Sequence, residues 1–338
     1  MNLFKAYLLS ITMLTCVVVA CSGGANADSK TQSQEKKTAV TMRHKAFNAD
    51  NAYEHICRQL DFGPRVPGSE GHTACCHYLI KALEDAGVDT IIQQMATVTA
   101  FNGDRLPITN IIASINGEAT RRVLLAAHWD TRPWADMEED SNLRNQPIPG
   151  ANDGASGVAV LLEIAHVLCA DKPAVGVDIL FTDAEDYGSN DNDGENSDSW
   201  CLGTQYWAEH IVPYTVDNMP VYGILLDMVG GRGARFFYEA FSILYAKTPT
   251  LKVWSEAARL GYGDFFPMAV GGAVTDDHVV LTNAGIPTVD IIELNNAETG
   301  SFPPSWHTHN DNLKNIDSAT LRAVGETVLS VVYNEKNQ

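Results

Sequence analysis

Four stretches of this chain are continuously apolar, and each ends in acids or beside a histidine. Residues 122–130 read RVLLAAHWD, 178–186 read DILFTDAED, 222–229 read YGILLDMV and 288–293 read TVDIIE. A run with no polar alternation cannot lie with one face in water, so it suits a central strand covered on both sides. Helical spacing fills the intervals. Residues 71–86 carry apolar groups at 75, 76, 79, 80 and 83, and Gly87 ends the run. Residues 156–169, 248–260 and 318–333 read as further helices. Strands alternating with helices predict a single α/β domain over 46–338, with a central twisted, mostly parallel (mixed) β-sheet flanked by helices on both faces. No internal repeat and no linker divides it.

The 338 residues include 45 % hydrophobic and 19 % charged side chains, which excludes a wholly disordered chain. The net charge of −19 argues against nucleic acid as a partner, because a phosphate backbone needs a basic face. It carries no positive information about substrate.

The first twenty residues read as an export leader. Lys5 precedes an apolar run from Ala6 to Ala20 that is too short to span a bilayer. Val18-Val19-Ala20-Cys21 resembles the lipobox of bacterial lipoproteins, in which the cysteine becomes the lipidated first residue. The alternative is an ordinary signal peptide with an incidental cysteine. Residues 21–45 are then the lipidated Cys21 and a polar tether, and the anchor holds the domain to a membrane without a spanning helix. Ser22 is not the aspartate associated with inner-membrane retention, which favours the periplasmic side of an outer membrane. Of the seven cysteines, Cys57, Cys75, Cys76, Cys169 and Cys201 lie beyond the leader. Five cannot all pair, and their spacing matches no zinc finger or ribbon. They read as buried apolar residues, with Cys75-Cys76 open to a vicinal redox role.

In an α/β sheet, ligands bind beyond the carboxyl ends of the parallel strands. Three of the runs end in chemistry-bearing groups there: His128 and Asp130; Asp183, Glu185 and Asp186; and Asp227. Charged residues that merely mark where a strand leaves the core explain any one of these, but poorly explain all three. Between the first two runs, residues 149–157 (PGANDGASG) form a small-residue loop that lets Asp153 approach a metal closely. Asp153, Asp186 and His307 together offer O, O and N ligands, and three protein ligands leave the open position of a catalytic zinc site. Alone, His307 reads equally well as a surface-loop histidine. Glu185, beside Asp186, is placed to carry a proton, provided a strand end or turn brings both to one side. Asp276-Asp277-His278 is a further dense cluster, and it reads either as part of a site or as a solvated acidic loop.

Several common machineries are absent. There is no GxSxG elbow, no HExxH, no GxGxxG after a strand and no GxxxxGK[ST]. What is present, in order, resembles the zinc aminopeptidase superfamily: His128-Trp129-Asp130, Gly150-Ala151-Asn152-Asp153, Glu185-Asp186, Leu226-Asp227-Met228 and a late histidine. Thr275-Asp276-Asp277-His278 and Phe302-Pro303-Pro304-Ser305-Trp306-His307-Thr308, followed by Asp311-Asn312, resemble the glutaminyl cyclases within it.

That resemblance implies a zinc-aminopeptidase-like fold and one zinc per chain held by Asp153, Asp186 and His307. The family often has Glu at the second ligand, and Asp186 is one methylene shorter. It implies Glu185 as the proton shuttle, Asp227 and Asp276 as carboxylates of its hydrogen-bond network, and Phe302 and Trp306 as the aromatic wall of the substrate pocket. Trp200 stands near the place of a further pocket tryptophan, with a core role the alternative. Where animal members carry a histidine near the pocket, this chain has Asp290. The implied reaction converts an N-terminal glutamine of a peptide or protein to pyroglutamate and releases ammonia. A two-metal zinc aminopeptidase is the competing reading, since His128 and Asp130 are retained. A monomer is the default.

Overall fold

The computed structural model describes residues 46–190, 197–215 and 218–337. The leader, Cys21 and the tether lie outside the described residues. Among those described, six strands form one sheet: β1 (Thr90–Thr99), β2 (Arg105–Ile115), β3 (Arg122–His128), β4 (Gly176–Thr182), β5 (Gly223–Asp227) and β6 (Thr288–Ile292). Their order is β1-β2-β4-β3-β5-β6. β4, β3, β5 and β6 are parallel, and β2 and β1 join antiparallel beyond β4. Every residue of β3, β4, β5 and β6 is buried, so the uninterrupted apolar runs are those of strands with two covered faces. At the edge, β1 alternates between exposed and half-buried positions, with no fully buried residue.

The helices divide between the faces. Val123, Leu125 and Ala127 of β3 pack with α1 (Ala49–Asp61), α2 (Glu70–Ala86), α3 (Ala155–Ala170), α6 (Lys247–Leu260) and α8 (Ser318–Tyr333). The alternate residues Leu124 and Ala126 face Trp207 of α4 (Leu202–Glu209) and Leu281 of α7 (Asp277–Asn283). Asn48 caps α1 and Ser69 caps α2 with side-chain oxygens, and Gly87 closes α2 in the left-handed region. A short α5 (Ala240–Tyr245) is capped by the Glu239 carboxylate, which accepts from the amides of Phe241 and Ser242.

α3 sets the site. Thirteen of its sixteen residues are buried, the mark of a helix enclosed on all sides. It approaches the sheet closely because glycines face the strands. A Cβ on Gly157 would stand 2.1 Å from the Leu226 carbonyl oxygen, and one on Gly154 would stand 2.4 Å from that of His128. The loop entering α3 is thereby pressed against the carboxyl ends of β3 and β5.

The described cysteines are all free thiols. Cys75 and Cys76 are buried in α2, and burial pushes their thiols up to about 12 and about 11, as suits apolar packing rather than redox exchange.

Candidate metal centre and active site

The carboxyl ends of β3, β4 and β5 open to one edge of the sheet, and the turns beyond them are fixed by hydrogen bonds rather than left as loops. β4 ends at Thr182, four residues short of the apolar-acid run. Ala184 then takes a left-handed φ of 51°. The strand alternation breaks there, which lets Glu185 and Asp186 reach one site. Asp130, just past β3, holds that turn: its carboxylate accepts from the amides of Glu185 (3.1 Å) and Asp186 (3.2 Å). Asp130 is therefore a template for the site. Asp183 is drawn away from it, accepting from the Thr109 amide at 2.6 Å and lying 2.9 Å from His72 Nε2.

The loop before α3 is held in the same manner. The Asp311 carboxylate accepts from the amides of Asn152 (2.7 Å) and Asp153 (3.1 Å). Burial and the nearby Asp153 charge push its carboxyl up to about 7. His307, at a φ of 54°, turns Nε2 to within 3.2 Å of Asp186 and 3.9 Å of Asp153. Its Nδ1 faces the Asp136 carboxylate at 3.1 Å. Arg132 clamps Asp136 through two bonds, of 3.0 and 2.6 Å, and donates to the backbone carbonyl oxygens of Asp186 and Gly188. An acid that accepts a hydrogen bond from Nδ1–H leaves the Nε2 lone pair facing Asp153 and Asp186.

Asp153, Asp186 and His307 place one donor atom each within 4.8 Å of one another. All three are buried, and neither carboxylate oxygen of Asp186, 1 % exposed, has a hydrogen-bond partner. The Arg132 guanidinium stands 3.6 Å from one of those oxygens, and a buried carboxylate with no hydrogen bond leaves lone pairs for a further cation. A divalent ion taking O, O and N ligands with one open position can fill that place, and the set fits zinc. A second group shares Asp153: His128 Nε2 lies 3.1 Å from Asp153 and 3.2 Å from Asp227.

A pocket of about 370 Å³ opens over this cluster. Glu185, Asp227 and Asp276 stand on its acidic side. Burial and then the charge of Asp276 push the Glu185 carboxyl well above its usual range, against the opposing pull of His128. Burial also lifts Asp227, to about 6, with His128 opposing. The Cys201 thiol donates to Glu185 Oε1 at 3.4 Å, and its amide donates to the Glu185 carbonyl oxygen at 3.0 Å.

The other wall is aromatic. Phe302 stacks on Trp306 at 4.3 Å, and Trp306 on His307 at 3.6 Å. Trp200 lies on the same pocket, nearly parallel to His307 at 6.2 Å, with the Arg132 guanidinium 4.8 Å from its centre. Its ring lies over Gly188, where a Cβ would come within 2.0 Å. Of the cluster at 276–278, only Asp276 lines the pocket. Asp277 accepts from the Thr182 hydroxyl, and His278 lies behind. Asp290 is buried in β6 and is not on the pocket wall.

Sequence reasoning missed Arg132, Asp136 and Cys201. Asp136 follows Arg132 by one helical turn's spacing, a weak signal in a loop, and Cys201 carries none. Asp311 was visible only as a companion of the tryptophan-histidine motif.

The model of peptidase family M28 matches residues 110–332. The chain belongs to peptidase family M28. It is 47 % identical to a glutaminyl cyclase of Bacteroides thetaiotaomicron crystallised with N-acetylhistamine, with a TM-score of 0.83 over 87 % of this chain and 100 % of that one. It is 45 % identical to a leucine aminopeptidase precursor of the same species, with a TM-score of 0.82 over 88 % of this chain and 100 % of that one. Bovine glutaminyl-peptide cyclotransferase is 22 % identical over 290 residues, 76 % of this chain and 74 % of the relative. Family membership thus comes with both cyclase and peptidase names, and the pocket has to decide between them.

Proposed function

We propose that this chain is a zinc-dependent glutaminyl-peptide cyclotransferase, converting an N-terminal glutamine of peptides or proteins to pyroglutamate with release of ammonia. One observation carries the choice: the pocket over the Asp153, Asp186 and His307 cluster is walled by Phe302, Trp306 and Trp200 and faces Glu185. Zinc bound by those three residues supplies a Lewis acid at an open coordination position.

The chain's own residues do the rest. The aromatic walls fold the glutamine side chain back toward its own α-amine, and orientation is a large part of the barrier to ring closure. Glu185 accepts a proton from the α-amine as its nitrogen bonds to the side-chain carbonyl carbon. The same carboxyl returns that proton to the departing nitrogen as the carbon–nitrogen bond breaks and ammonia leaves. No water is consumed, which suits a pocket walled by three aromatic rings.

A second reading rests on His128, Asp153 and Asp227, whose donor atoms also converge. A second metal there would make the chain a two-metal aminopeptidase. The deciding experiment offers the zinc-loaded protein a peptide beginning with glutamine. Ammonia release with a mass loss of about 17 Da, that of one NH3 expelled by intramolecular attack, supports cyclisation. Free glutamine and a shortened peptide, with near two metals per chain, support the peptidase.

Residues 1–45 extend the proposal to location: export, lipidation at Cys21 and a periplasmic position on a bacterial membrane, the domain acting as a monomer. Lys5, the apolar run and Val18-Val19-Ala20-Cys21 support it. Metabolic lipid labelling that fails on the wild type, or persists in Cys21→Ala, would refute the anchor.

A further inference from the structure

α5 is patterned inside out. Its inner side carries Ser242, 1 % exposed, while Leu244 and Tyr245 stand 65 and 62 % exposed. Phe241, one turn before Tyr245, stacks on it at 6.3 Å. Positions 241, 244 and 245 share one side of a helix. Packing alone would turn those apolar groups inward. The inner side instead makes a polar tie, because the Ser242 hydroxyl oxygen accepts from the Asp290 amide at 3.0 Å.

A second segment extends this apolar surface. Met268 and Val270 are 58 and 63 % exposed. Their segment is bonded to the chain that enters α5. The Tyr238 amide donates to the Ala269 carbonyl oxygen at 2.9 Å, the Gly271 amide to that of Tyr238 at 2.8 Å, and the Ala240 amide to that of Gly272 at 2.9 Å. Four of the nine large apolar side chains exposed among the described residues thus stand on two joined segments. Apolar groups scattered singly over a surface need no explanation, but a contiguous group marks a contact site.

The patch adjoins the pocket. Ala273, Val274 and Thr275, next along the chain, line it. A Cβ on Gly272 would stand 3.0 Å from Leu294, another lining residue. Val270 lies three residues before Ala273, so their Cα atoms are at most about 11 Å apart. Leu244 and Tyr245 lie about 6–8 Å along α5 from Ala240, which is bonded to Gly272. An extended peptide advances about 3.3 Å per residue. A glutamine in the pocket therefore sets about the third to sixth residues of its own chain over the patch.

Charge indicates what kind of chain fits there. The protein carries −19, yet no acid falls between Glu239 and Glu256 or within residues 265–275. The surface beside the pocket is apolar, with Lys247 and Lys252 as its nearby charges in sequence. It suits an apolar partner rather than a cationic one.

We propose that this patch receives the polypeptide trailing the N-terminal glutamine, and selects substrates whose following residues are extended and apolar. The inference rests on the cyclase reading and narrows it to a substrate class. Such a segment has no fold of its own to enter while the glutamine is seated, so its apolar groups gain by covering Leu244, Tyr245, Met268 and Val270.

The test compares three substrates on the zinc-loaded chain: glutaminamide, a glutamine peptide with leucine and valine at positions three to six, and its serine counterpart. The variants are Leu244→Ser with Tyr245→Ser and, separately, Met268→Ser with Val270→Ser. The wild type is expected to favour the apolar peptide at least about tenfold in kcat/KM, a factor smaller than the full burial of one leucine side chain supplies. Each variant pair is expected to bring that preference down severalfold through KM, with glutaminamide turnover within about twofold of wild type. Equal use of both peptides by the wild type would overturn the inference, as would a preference that survives both pairs. Loss of glutaminamide turnover in both pairs would also overturn it, by making the patch a support of the pocket. A wild-type dimer in sedimentation that both pairs dissociate, or flotation with phosphatidylcholine vesicles that both pairs abolish, each with the peptide preference unchanged, would give the surface to a second copy or to lipid. A wild type that releases no ammonia from any substrate would sink the cyclase reading. The affinities of the two peptides, dye-labelled at their carboxyl ends and followed by anisotropy, would still judge the patch.

Discussion

Glu185 is the residue on which the chemistry turns. It sits beside Asp186 in sequence, yet the two do different work because Ala184 turns the chain and Asp130 pins both amides. Replacing Glu185 with Gln keeps the shape and the hydrogen-bonding carbonyl but removes the base. Turnover is expected to fall by about 10²–10⁴. Zinc per chain, measured by atomic emission, is expected to stay unchanged. Normal turnover in such a variant would remove Glu185 from the mechanism. The metal ligands themselves were legible as residue types at strand ends. Their supports were not, because Asp136 lies 171 positions from His307 and Asp311 lies 158 from Asp153.

At the scale of elements, the site depends on how closely α3 can approach the sheet. Asp153 enters from the loop before α3, and Asp227 ends β5. Gly157 lets the two meet, since any side chain there would strike the Leu226 carbonyl. Gly157→Ala is expected to destabilise the protein by about 1–3 kcal/mol, the usual cost of forcing a methyl group into a packed interior. It is also expected to weaken zinc binding. Urea unfolding of the two proteins, with zinc titration by competition against a chelating dye, checks both. A variant as stable as the wild type would mean that α3 can shift without penalty. The same reasoning explains the helices. α3 is long and mostly apolar, so its helix was readable. α4, α5 and α7 are short, and their sequences carry too few turns for a period to declare itself.

Taken whole, the molecule concentrates its buried acids at one end of the sheet. A metal ion is the natural counterweight there, so its removal should be felt in the stability of the entire domain. Chelation is expected to lower the thermal midpoint and re-addition of zinc to restore it. The linkage is worth about 4 kcal/mol when free zinc stands a thousandfold above its dissociation constant. A midpoint that does not move would show that the three ligands do not hold the ion tightly.

Acid should test the other counterweight. Burial alone would raise the Glu239 carboxyl, but His278 and the amides of Phe241 and Ser242 outweigh it and lower the group from 4.5 to about 2. Its folded value is below its unfolded one, so its contribution is complete above about pH 4.5 and is lost as the pH falls toward 2. Glu239→Gln should therefore be less stable than the wild type at neutral pH, by about 1–3 kcal/mol. The gap should close through that acid window. A gap independent of pH, in paired denaturation curves, would contradict the assignment.

By itself the sequence determined the central strands, the enclosing helices and the kinds of groups gathered at the strand ends. Those features are local: a continuous apolar run needs two covered faces wherever it sits, and the acids that follow it must leave the core. It also carried the paired motifs at 275–278 and 302–308 that point to a cyclase pocket. Only the tertiary structure decided which acids face the metal cluster and which brace it. Asp130 and Asp186 are both acids just past strand ends, yet one holds backbone amides and the other faces His307 and Asp153 at the metal cluster. It alone brought Trp200 to the pocket wall and set His278 and Asp290 behind Asp276. A side chain's role there is fixed by partners from distant parts of the chain, and one-dimensional spacing contains no record of which distant parts will meet.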